Sequence, residues 1–196
     1  VEHAIETKIF DKIHVSTECE EVVTICKEYG LEVDFLRPKE LAQDNSDLND
    51  VCKFVVNKYD ELGVKFDNLC LLWATSPLRH PEDILNSYRM LDKSVDAVVG
   101  VTSYDLPIWC AQEISTSGEL RKVFPEEFWL SSKEVSHRVC DNGSLCWVKV
   151  PSFKKYGNWL PPKSKGYEMP KERSVDIDTL FDWELAEFLF KKKLKN

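Results

Sequence analysis

Strand-like and helix-like stretches alternate along the first half of this 196-residue chain, and this alternation limits the fold more than any other feature. Residues 66–73 form a nearly continuous apolar run, as expected for a strand that is buried on both faces of a sheet. Pro81 then suits the first position of a helix. Residues 95–101 form the next buried run. The pattern predicts an α/β domain with a mostly parallel sheet and helices on both faces.

Shorter patterns extend this prediction toward the N-terminus. Residues 12–16 and 32–36 are predicted to be strands, the first of them with apolar residues at period two. Thr17 and Glu20 form a capping-box pattern that predicts the start of a helix. Either Ser46 or Asp47 is expected to cap the helix after it.

The second half of the chain departs from the alternation. Residues 104–150 have the pattern of short strands and loops that pack at a sheet edge or against another subunit, and residues 157–170 are typical of a surface loop. A final helix is predicted after Thr179, which is paired with Asp182 as a cap. Its buried face is expected to hold Phe181, Leu185, Phe188 and Leu189.

No linker divides the sequence, so residues 1–196 are predicted to form a single domain with residues 104–150 as an excursion within it. A doubly wound domain normally opens with a strand whose following turn often binds phosphate. The sequence instead opens on a helical pattern at Val1. We therefore expect that a first strand and a phosphate loop lie outside this sequence.

Bulk properties exclude several classes of protein. The net charge is −8 and no basic patch stands out, which argues against a nucleic-acid partner. No apolar run has the length of a membrane span, so no membrane partner is expected. The seven cysteines form no Cys-x-x-Cys pair, which argues against a zinc site and fits a reducing cytoplasm.

Two carboxylates near the C-terminus are the first candidates for a functional site. Asp176 and Asp178 lie two residues apart at the end of a predicted strand, so they point to the same side of a sheet. This arrangement suits a divalent cation held against phosphate oxygens, and Mg²⁺ accepts one or two protein carboxylates in this way. From the residues alone, an alternative remains that both are turn residues before a capped helix.

A second candidate segment follows the apolar run at residues 66–73. Thr75, Ser76 and Arg79 lie just past the carboxyl end of that strand, where open α/β sheets bind ligands. Hydroxyls can bind sugar hydroxyls, and an arginine can hold a carboxylate with two parallel hydrogen bonds. The alternative is a turn set by Pro77, with Arg79 paired to a surface carboxylate of the next helix, Glu82 or Asp83.

Five segments, taken in order, resemble the acylneuraminate (nonulosonate) cytidylyltransferases, the family of CMP-sialic acid synthetases and their pseudaminic and legionaminic acid relatives. The resemblance spans nearly the whole chain. It is carried by Val15-Ser16-Thr17-Glu18; Leu36-Arg37-Pro38 with Glu40-Leu41-Ala42 and Asp44; residues 74–79; Asn142-Gly143; and Asp176-Ile177-Asp178-Thr179 with Asp182-Trp183 and Leu185-Ala186-Glu187. Residues 101–104, 123–126 and Trp147 resemble the pseudaminic acid branch.

The resemblance implies a fold, a reaction and site residues. It implies a Rossmann-like domain of the nucleotide-diphospho-sugar transferase type that dimerises through its β-rich excursion. It implies transfer of CMP from CTP to a nine-carbon acidic sugar, with release of pyrophosphate and with Mg²⁺ bound by the two aspartates. The residues that it assigns to nucleotide binding are Arg37, Ser46, Ser16 and Thr17, and those that it assigns to the sugar pocket are Trp73, Thr75, Ser76, Arg79, Asn142 and Gly143.

Some positions depart from the family's pattern and leave other hypotheses open. Glu18 stands where the family usually has Asp, Ser131 lies in a loop expected to carry an arginine, and Val139 stands where a tyrosine is common. A second hypothesis is therefore a catalytically impaired member that binds nucleotide or serves assembly. A third is a sugar-nucleotide glycosyltransferase, since those enzymes also combine an Asp-x-Asp pair with an α/β sheet.

Overall fold

The computed structural model describes residues 1–193 and contains one mixed four-stranded sheet with helices on both faces. The sheet order is β1-β5-β2-β6, in which β5 is antiparallel to both of its neighbours and β2 is parallel to β6. Two further short strands, β3 and β4, form a separate hairpin. The strands are β1 Asn68–Leu72, β2 Ala97–Ser103, β3 Gln112–Ile114, β4 Leu120–Lys122, β5 Val139–Lys149 and β6 Ser164–Glu168.

Six α-helices surround the sheet or flank it in sequence. Pro81 occupies the first turn of α4 and Asp47 caps α3, both as predicted. Gly157, with φ 73°, ends α5 in the left-handed conformation that glycine adopts easily. The helices are α1 Glu2–Thr7, α2 Glu20–Glu28, α3 Leu48–Glu61, α4 Pro81–Arg89, α5 Val150–Tyr156 and α6 Leu180–Lys193.

The core lies on the two faces of the sheet, because alternate residues of each strand point to opposite sides. On one face, Ala97 and Val148 pack with α3 and with Phe153 of α5. On the other face, Val98 and Leu145 pack with Ile84 of α4. Each fully buried side chain of this kind contributes about 1.5–3 kcal/mol relative to an exposed one. The prediction of an α/β domain with covered faces is confirmed.

The long strand β5 contains the Asn142-Gly143 step, although Asn-Gly pairs are typical of tight turns. The step instead forms an irregularity within the strand, where the register of β2 against β5 shifts between Val99 and Val101. The predicted loop at residues 157–170 is partly wrong. It contains β6, which extends the sheet by pairing with β2.

Two predicted N-terminal strands are absent from the described sheet. Residues 12–16 and 32–36 lie outside helices and strands, and Arg37 N donates to Thr17 O at 2.8 Å just beyond them. A strand needs a neighbouring backbone, and neither segment forms a ladder with β1. The capping box at Thr17 is also wrong, because α2 begins at Glu20 with Cys19 as its N-cap residue.

The last helix does not bury the face that was predicted for it. Phe181 is 72% exposed and Phe188 is 63% exposed, whereas Ala186 is buried. Residues 194–196 lie outside the described part of the chain. Among the described residues, no helix combines the length and apolar character needed to cross a membrane.

Candidate active site

The two segments singled out in the sequence are in direct contact. Ile177 N donates a hydrogen bond to Thr75 O at 2.9 Å, so residues 176–178 lie across the turn that follows β1. Ser144 O of β5 accepts from Trp73 N at 3.1 Å and closes the sheet next to this turn. The carboxyl end of β1 and the Asp-Ile-Asp segment are therefore in contact, and a shared functional site stays a prediction.

Asp176 rests against the backbone of Gly143. A Cβ atom added to Gly143 would lie 2.4 Å from Asp176 Oδ2, which is far inside van der Waals contact. Gly143 also has φ 58°, a conformation that side chains disfavour. The Asn-Gly step thus provides the space in which the Asp176 carboxylate lies. Asp176 Oδ1 is buried there and accepts no hydrogen bond.

Asp178 is exposed two residues further on, where α6 begins. Its backbone N–H and that of Thr179 point to Asp182 Oδ2, at 3.3 and 2.8 Å. Asp182 N in turn donates to Thr179 Oγ1 at 3.3 Å, which completes the predicted capping pair. The hydrogen bonds from Thr179 lower the pKa of Asp182. Asp182 is therefore engaged as a cap, and Asp178 retains a free-standing carboxylate.

A buried ion pair fixes the segment that leads into the two aspartates. Arg173 Nε and Nη2 donate to Asp83 Oδ2 and Oδ1 at 2.9 and 2.8 Å. Tyr167 donates to the same carboxylate at 3.0 Å, and His80 N does so at 2.8 Å. Asp83 is 1% exposed. Burial raises the pKa of this carboxyl, but the hydrogen bonds from Arg173 and His80 and the Arg173 charge outweigh burial and lower it.

Sequence reasoning missed this pair. Asp83 was considered only as a possible surface partner of Arg79, and Arg173 belonged to no recognised pattern. The two residues are 90 positions apart, so no helical or strand periodicity connects them. The position of Asp83 on the buried face of the first turn of α4 was the one available sign of the pair, because a buried carboxylate must be hydrogen-bonded or paired with a cation.

Asn142, predicted to contact the sugar, has both ends of its amide engaged within the protein. Its Nδ2 lies 3.0 Å from Ser174 Oγ, and its Oδ1 accepts from Ser144 N at 3.2 Å. The side chain is 5% exposed. These bonds connect β5 to the segment before Asp176 and favour a positioning role. Contact with a substrate stays a prediction.

Arg79 does not form the surface ion pair that was one of its predicted alternatives. Its Nη1 donates to Ser144 O at 2.6 Å and its Nη2 donates to Trp73 O at 2.8 Å. The side chain is buried, and burial lowers its pKa. The alternative prediction, a surface ion pair with Glu82 or Asp83, is therefore wrong. A carboxylate clamp stays a prediction that requires the guanidinium to exchange its bonds to these carbonyls.

A cavity of about 440 Å³ extends along the outer edge of β1. Four predicted site residues line this edge cavity at its polar end: Ser16, Arg37, Trp73 and Arg79. Ser16 Oγ is buried without a hydrogen-bond partner, and the Trp73 ring packs edge-on against Trp159 at 5.8 Å. Arg37 Nε donates to Glu18 at 3.2 Å. Their shared cavity is compatible with the predicted nucleotide contacts, which stay predictions.

The remaining predicted residues do not line the edge cavity. Ser46 Oγ accepts from Gln43 N at 3.0 Å and stabilises a surface turn, so a nucleotide contact is not favoured. Thr17 Oγ1 accepts from Cys19 N at 3.1 Å. Ser76 is fully buried in the turn after β1, and its hydroxyl has no hydrogen-bond partner. Thr75 is exposed beside Ile177 and is the better placed of these hydroxyls for a ligand.

The aspartate pair fits a magnesium ion. A buried carboxylate oxygen without a donor, Asp176 Oδ1, is an atom that a cation would satisfy. Asp178 follows two residues further on, but residues 174–178 lie outside helices and strands, so the strand that was predicted to place both side chains on one side of a sheet is absent. Within residues 1–193 no group of three or more candidate metal ligands is found. Mg²⁺ bound through substrate phosphates needs only one or two protein carboxylates, so this donor set is sufficient for it.

Comparison with known proteins places this chain in an enzyme class. The profile of the cytidylyltransferase family matches residues 1–127. That is well over half of the chain, and the chain belongs to the cytidylyltransferase family. It is thus a nucleotidyltransferase, and the glycosyltransferase hypothesis is wrong.

Curated relatives cover almost the whole chain. It is 22% identical over 192 residues to the pseudaminic acid cytidylyltransferase of Campylobacter jejuni, covering 97% of this chain and 83% of the relative. It is 28% identical over 190 residues to the CMP-N,N'-diacetyllegionaminic acid synthase of Legionella pneumophila, covering 95% and 81%. It is 28% identical over 197 residues to the N-acylneuraminate cytidylyltransferase of Escherichia coli, covering 98% and 45%.

Solved structures agree on the fold. The CMP:2-keto-3-deoxy-manno-octonic acid synthetase complexed with CTP superimposes with a TM-score of 0.68 at 12% identity, covering 98% of this chain and 86% of that one. The 4-diphosphocytidyl-2C-methyl-D-erythritol synthase of Anaerococcus prevotii gives 0.66 at 11% identity, covering 97% and 86%. At such identities the likeness supports the nucleotidyltransferase fold alone.

Proposed function

We propose that this protein transfers CMP from CTP to a nine-carbon acidic sugar of the sialic, pseudaminic or legionaminic acid type. The observation that carries the proposal is the Ile177–Thr75 hydrogen bond. It holds Asp176, with its unsatisfied Oδ1, and Asp178 against the turn at the carboxyl end of β1. The names of the curated relatives support the class of sugar.

The reaction forms one bond and breaks one bond at the α-phosphorus of CTP. The anomeric hydroxyl oxygen of the sugar attacks this phosphorus, the hydroxyl proton is lost, and the bond to the bridging oxygen of pyrophosphate breaks. Asp176 and Asp178 would hold Mg²⁺, which neutralises phosphate charge in transfers of this kind. Gly143 leaves room for the Asp176 carboxylate, and the Asp83–Arg173 pair fixes the segment before it.

Assembly and location belong to the same proposal. Large apolar side chains are exposed on the excursion between β2 and β5: Leu106 at 79%, Ile114 at 71% and Trp129 at 80%. Such a surface is typical of a subunit interface and supports a homodimer. All seven cysteines are free thiols, which supports a reducing compartment such as the cytoplasm.

The test is release of pyrophosphate by the full-length protein from CTP and Mg²⁺ with each of the three acidic sugars. We expect release with at least one sugar and a loss of about 100-fold or more in Asp176→Asn and Asp178→Asn, since electrostatic stabilisation of a transition state is worth this much. Asp11→Asn, at an exposed position outside the site, is the matched control.

Two results would contradict the proposal. Absence of release with all three sugars would favour the impaired family member that Glu18, Ser131 and Val139 leave open. Full activity in both aspartate variants would instead remove the metal role from this segment.

A further inference from the structure

Two adjacent residues of β5 contact the segment that leads from β6 to α6. The backbone of Gly143 lies against the Asp176 carboxylate, and the Asn142 amide reaches Ser174, two positions before Asp176. Asn142 Nδ2 donates to Ser174 Oγ at 3.0 Å, and Ser174 Oγ in turn donates to Pro170 O at 2.9 Å. The chain that leads into Asp176 is therefore held to β5 at two neighbouring points.

The hydrogen bonds around the Asn142 amide allow only one orientation of it. A hydroxyl has one hydrogen to donate, and Ser174 donates it to Pro170 O, so the Ser174 oxygen accepts the hydrogen of the amide. At the other end, Asn142 Oδ1 accepts from Ser144 N at 3.2 Å. Asn142 Nδ2 also donates to Met169 Sδ at 3.2 Å. Each polar atom of this buried amide thus has a partner within the protein, which favours positioning over contact with a substrate.

Gly100 of β2 leaves the space that this amide occupies. The register of β2 against β5 shifts between Val99 and Val101, and Gly100 lies at the shift. A Cβ atom added to Gly100 would lie 2.8 Å from Asn142 Oδ1 and 3.3 Å from the backbone oxygen of Leu145. Because the amide is hydrogen-bonded at both ends, it can move away from such an atom only by losing hydrogen bonds. A side chain at position 100 would therefore act directly on the amide.

We propose that Ser174, Asn142 and Gly100 are positioning residues that place the Asp176 carboxylate for a divalent cation. The inference rests on the proposed transfer reaction, in which Asp176 Oδ1, buried and without a hydrogen-bond donor, is available to the cation. Loss of the amide bond releases Ser174 from β5, and the carboxylate two positions later shifts with it. A displacement of about 1 Å at a reacting centre can lower a rate about 100-fold, so one buried hydrogen bond is sufficient to affect the reaction.

The test measures binding of the Mn²⁺–CTP complex to the full-length protein from the relaxation rate of water protons. Ser174→Ala removes the acceptor of the amide bond, whereas Ser174→Thr retains it. We expect an affinity loss of about fivefold or more in Ser174→Ala, the worth of one neutral hydrogen bond, and wild-type affinity in Ser174→Thr. Gly100→Ala is expected to give a similar loss. The double variant should lose about as much as Ser174→Ala, because both substitutions break the same bond.

Each variant has a matched control. Ser164→Ala also removes a hydroxyl that donates to a proline carbonyl, that of Pro161, but at the start of β6. Gly166→Ala brings its new Cβ atom to 3.0 Å from Val101 Cγ2, so it crowds the sheet against an apolar side chain instead of the amide. Urea unfolding measures the stability of every variant. We expect both controls to retain wild-type affinity for Mn²⁺–CTP even where their stability falls.

Steady-state kinetics separate positioning from substrate contact. A positioning role predicts a lower kcat in Ser174→Ala and Gly100→Ala with an unchanged KM for the sugar. A raised KM for the sugar together with wild-type affinity for Mn²⁺–CTP would overturn the inference and return Asn142 to the sugar pocket. Equal affinity in Ser174→Ala and the wild-type protein, or an equal loss in Ser164→Ala, would overturn this inference alone. Absence of both Mn²⁺–CTP binding and pyrophosphate release in the wild-type protein would overturn the proposed function together with it.

Discussion

Arg173 and Asp83 form a two-point ion pair that connects the end of the β6 segment to the first turn of α4. The carboxylate is fully buried, whereas the guanidinium is 28% exposed along its side chain. Asp176 lies only three positions after Arg173. The position of the aspartate pair therefore depends on this bond as well as on the turn after β1.

Removing one partner of the pair is expected to destabilise the fold. Arg173→Met leaves the Asp83 charge buried with only Tyr167 and His80 N as donors. Breaking buried pairs costs about 3–5 kcal/mol, and the partial exposure of Arg173 reduces our expectation to about 2–3 kcal/mol. Urea unfolding measures the change. The control is Lys171→Met, because Lys171 lies on the same turn as Arg173 but forms an exposed ion pair, with Asp105. Its expected loss of unfolding free energy is below about 1 kcal/mol. Equal losses in the two variants would contradict the prediction.

The same pair makes stability depend on pH. The folded-state pKa of Asp83 is lowered, so its ionised form contributes stability that is fully present above the unfolded value of about 3.9. This contribution is lost as the pH falls from that value through the lower folded pKa. The measurement is denaturant unfolding of the wild-type protein and of Asp83→Asn at a series of pH values between about 5 and 2. The other carboxylates are the same in the two proteins, so the difference between the two curves reports Asp83. The free energy of unfolding of Asp83→Asn should fall less steeply with decreasing pH than that of the wild-type protein. Parallel curves of unfolding free energy against pH would show that titration of Asp83 is not linked to folding.

The sequence was sufficient to predict the part of the site that follows the end of β1. The apolar run before Thr75 predicted a strand, and β1 confirms it. The strand predicted before the Asp-x-Asp pair is absent, although the Ile177–Thr75 bond brings this segment against the carboxyl end of β1. Capping of α6 by Thr179 and Asp182 was equally readable, because a cap is a local interaction.

The parts that failed depend on distant partners. Residues 12–16 have a strand pattern, yet a strand is defined by a neighbouring backbone and here the neighbouring space is the edge cavity. β6 was missed because a short polar segment with Gly166 becomes a strand through pairing with β2. The apolar residues of α6 predicted a buried face, but Phe181 and Phe188 are exposed in the single chain.

Arg37 supports a prediction about the nucleotide. It lines the edge cavity and is held by Glu18, with the two side chains 24% and 37% exposed. Such an exposed pair contributes about 0–1 kcal/mol, so Arg37→Met is expected to leave stability nearly unchanged. If the guanidinium contacts the nucleotide, the variant should raise the KM for CTP about tenfold or more, a loss of one charge-assisted hydrogen bond. Glu18→Gln removes the partner but retains the arginine, and steady-state kinetics should show little change in its KM. A similar KM rise in both variants would mean that the pair, rather than Arg37 itself, matters.

Gly143 provides the sharpest test of the metal site. In Gly143→Ala the new Cβ would lie 2.4 Å from Asp176 Oδ2, so the carboxylate must move. The left-handed conformation adds a cost of roughly 1–2 kcal/mol in stability. Gly63→Ala is a matched control, because Gly63 has φ 77° and open space around its Cβ position. We expect similar losses of stability in the two variants by urea unfolding, but a tenfold or greater loss of Mn²⁺ affinity, measured by electron paramagnetic resonance, in Gly143→Ala alone. Equal Mn²⁺ affinity in both variants would show that the position of Asp176 against Gly143 does not determine cation binding.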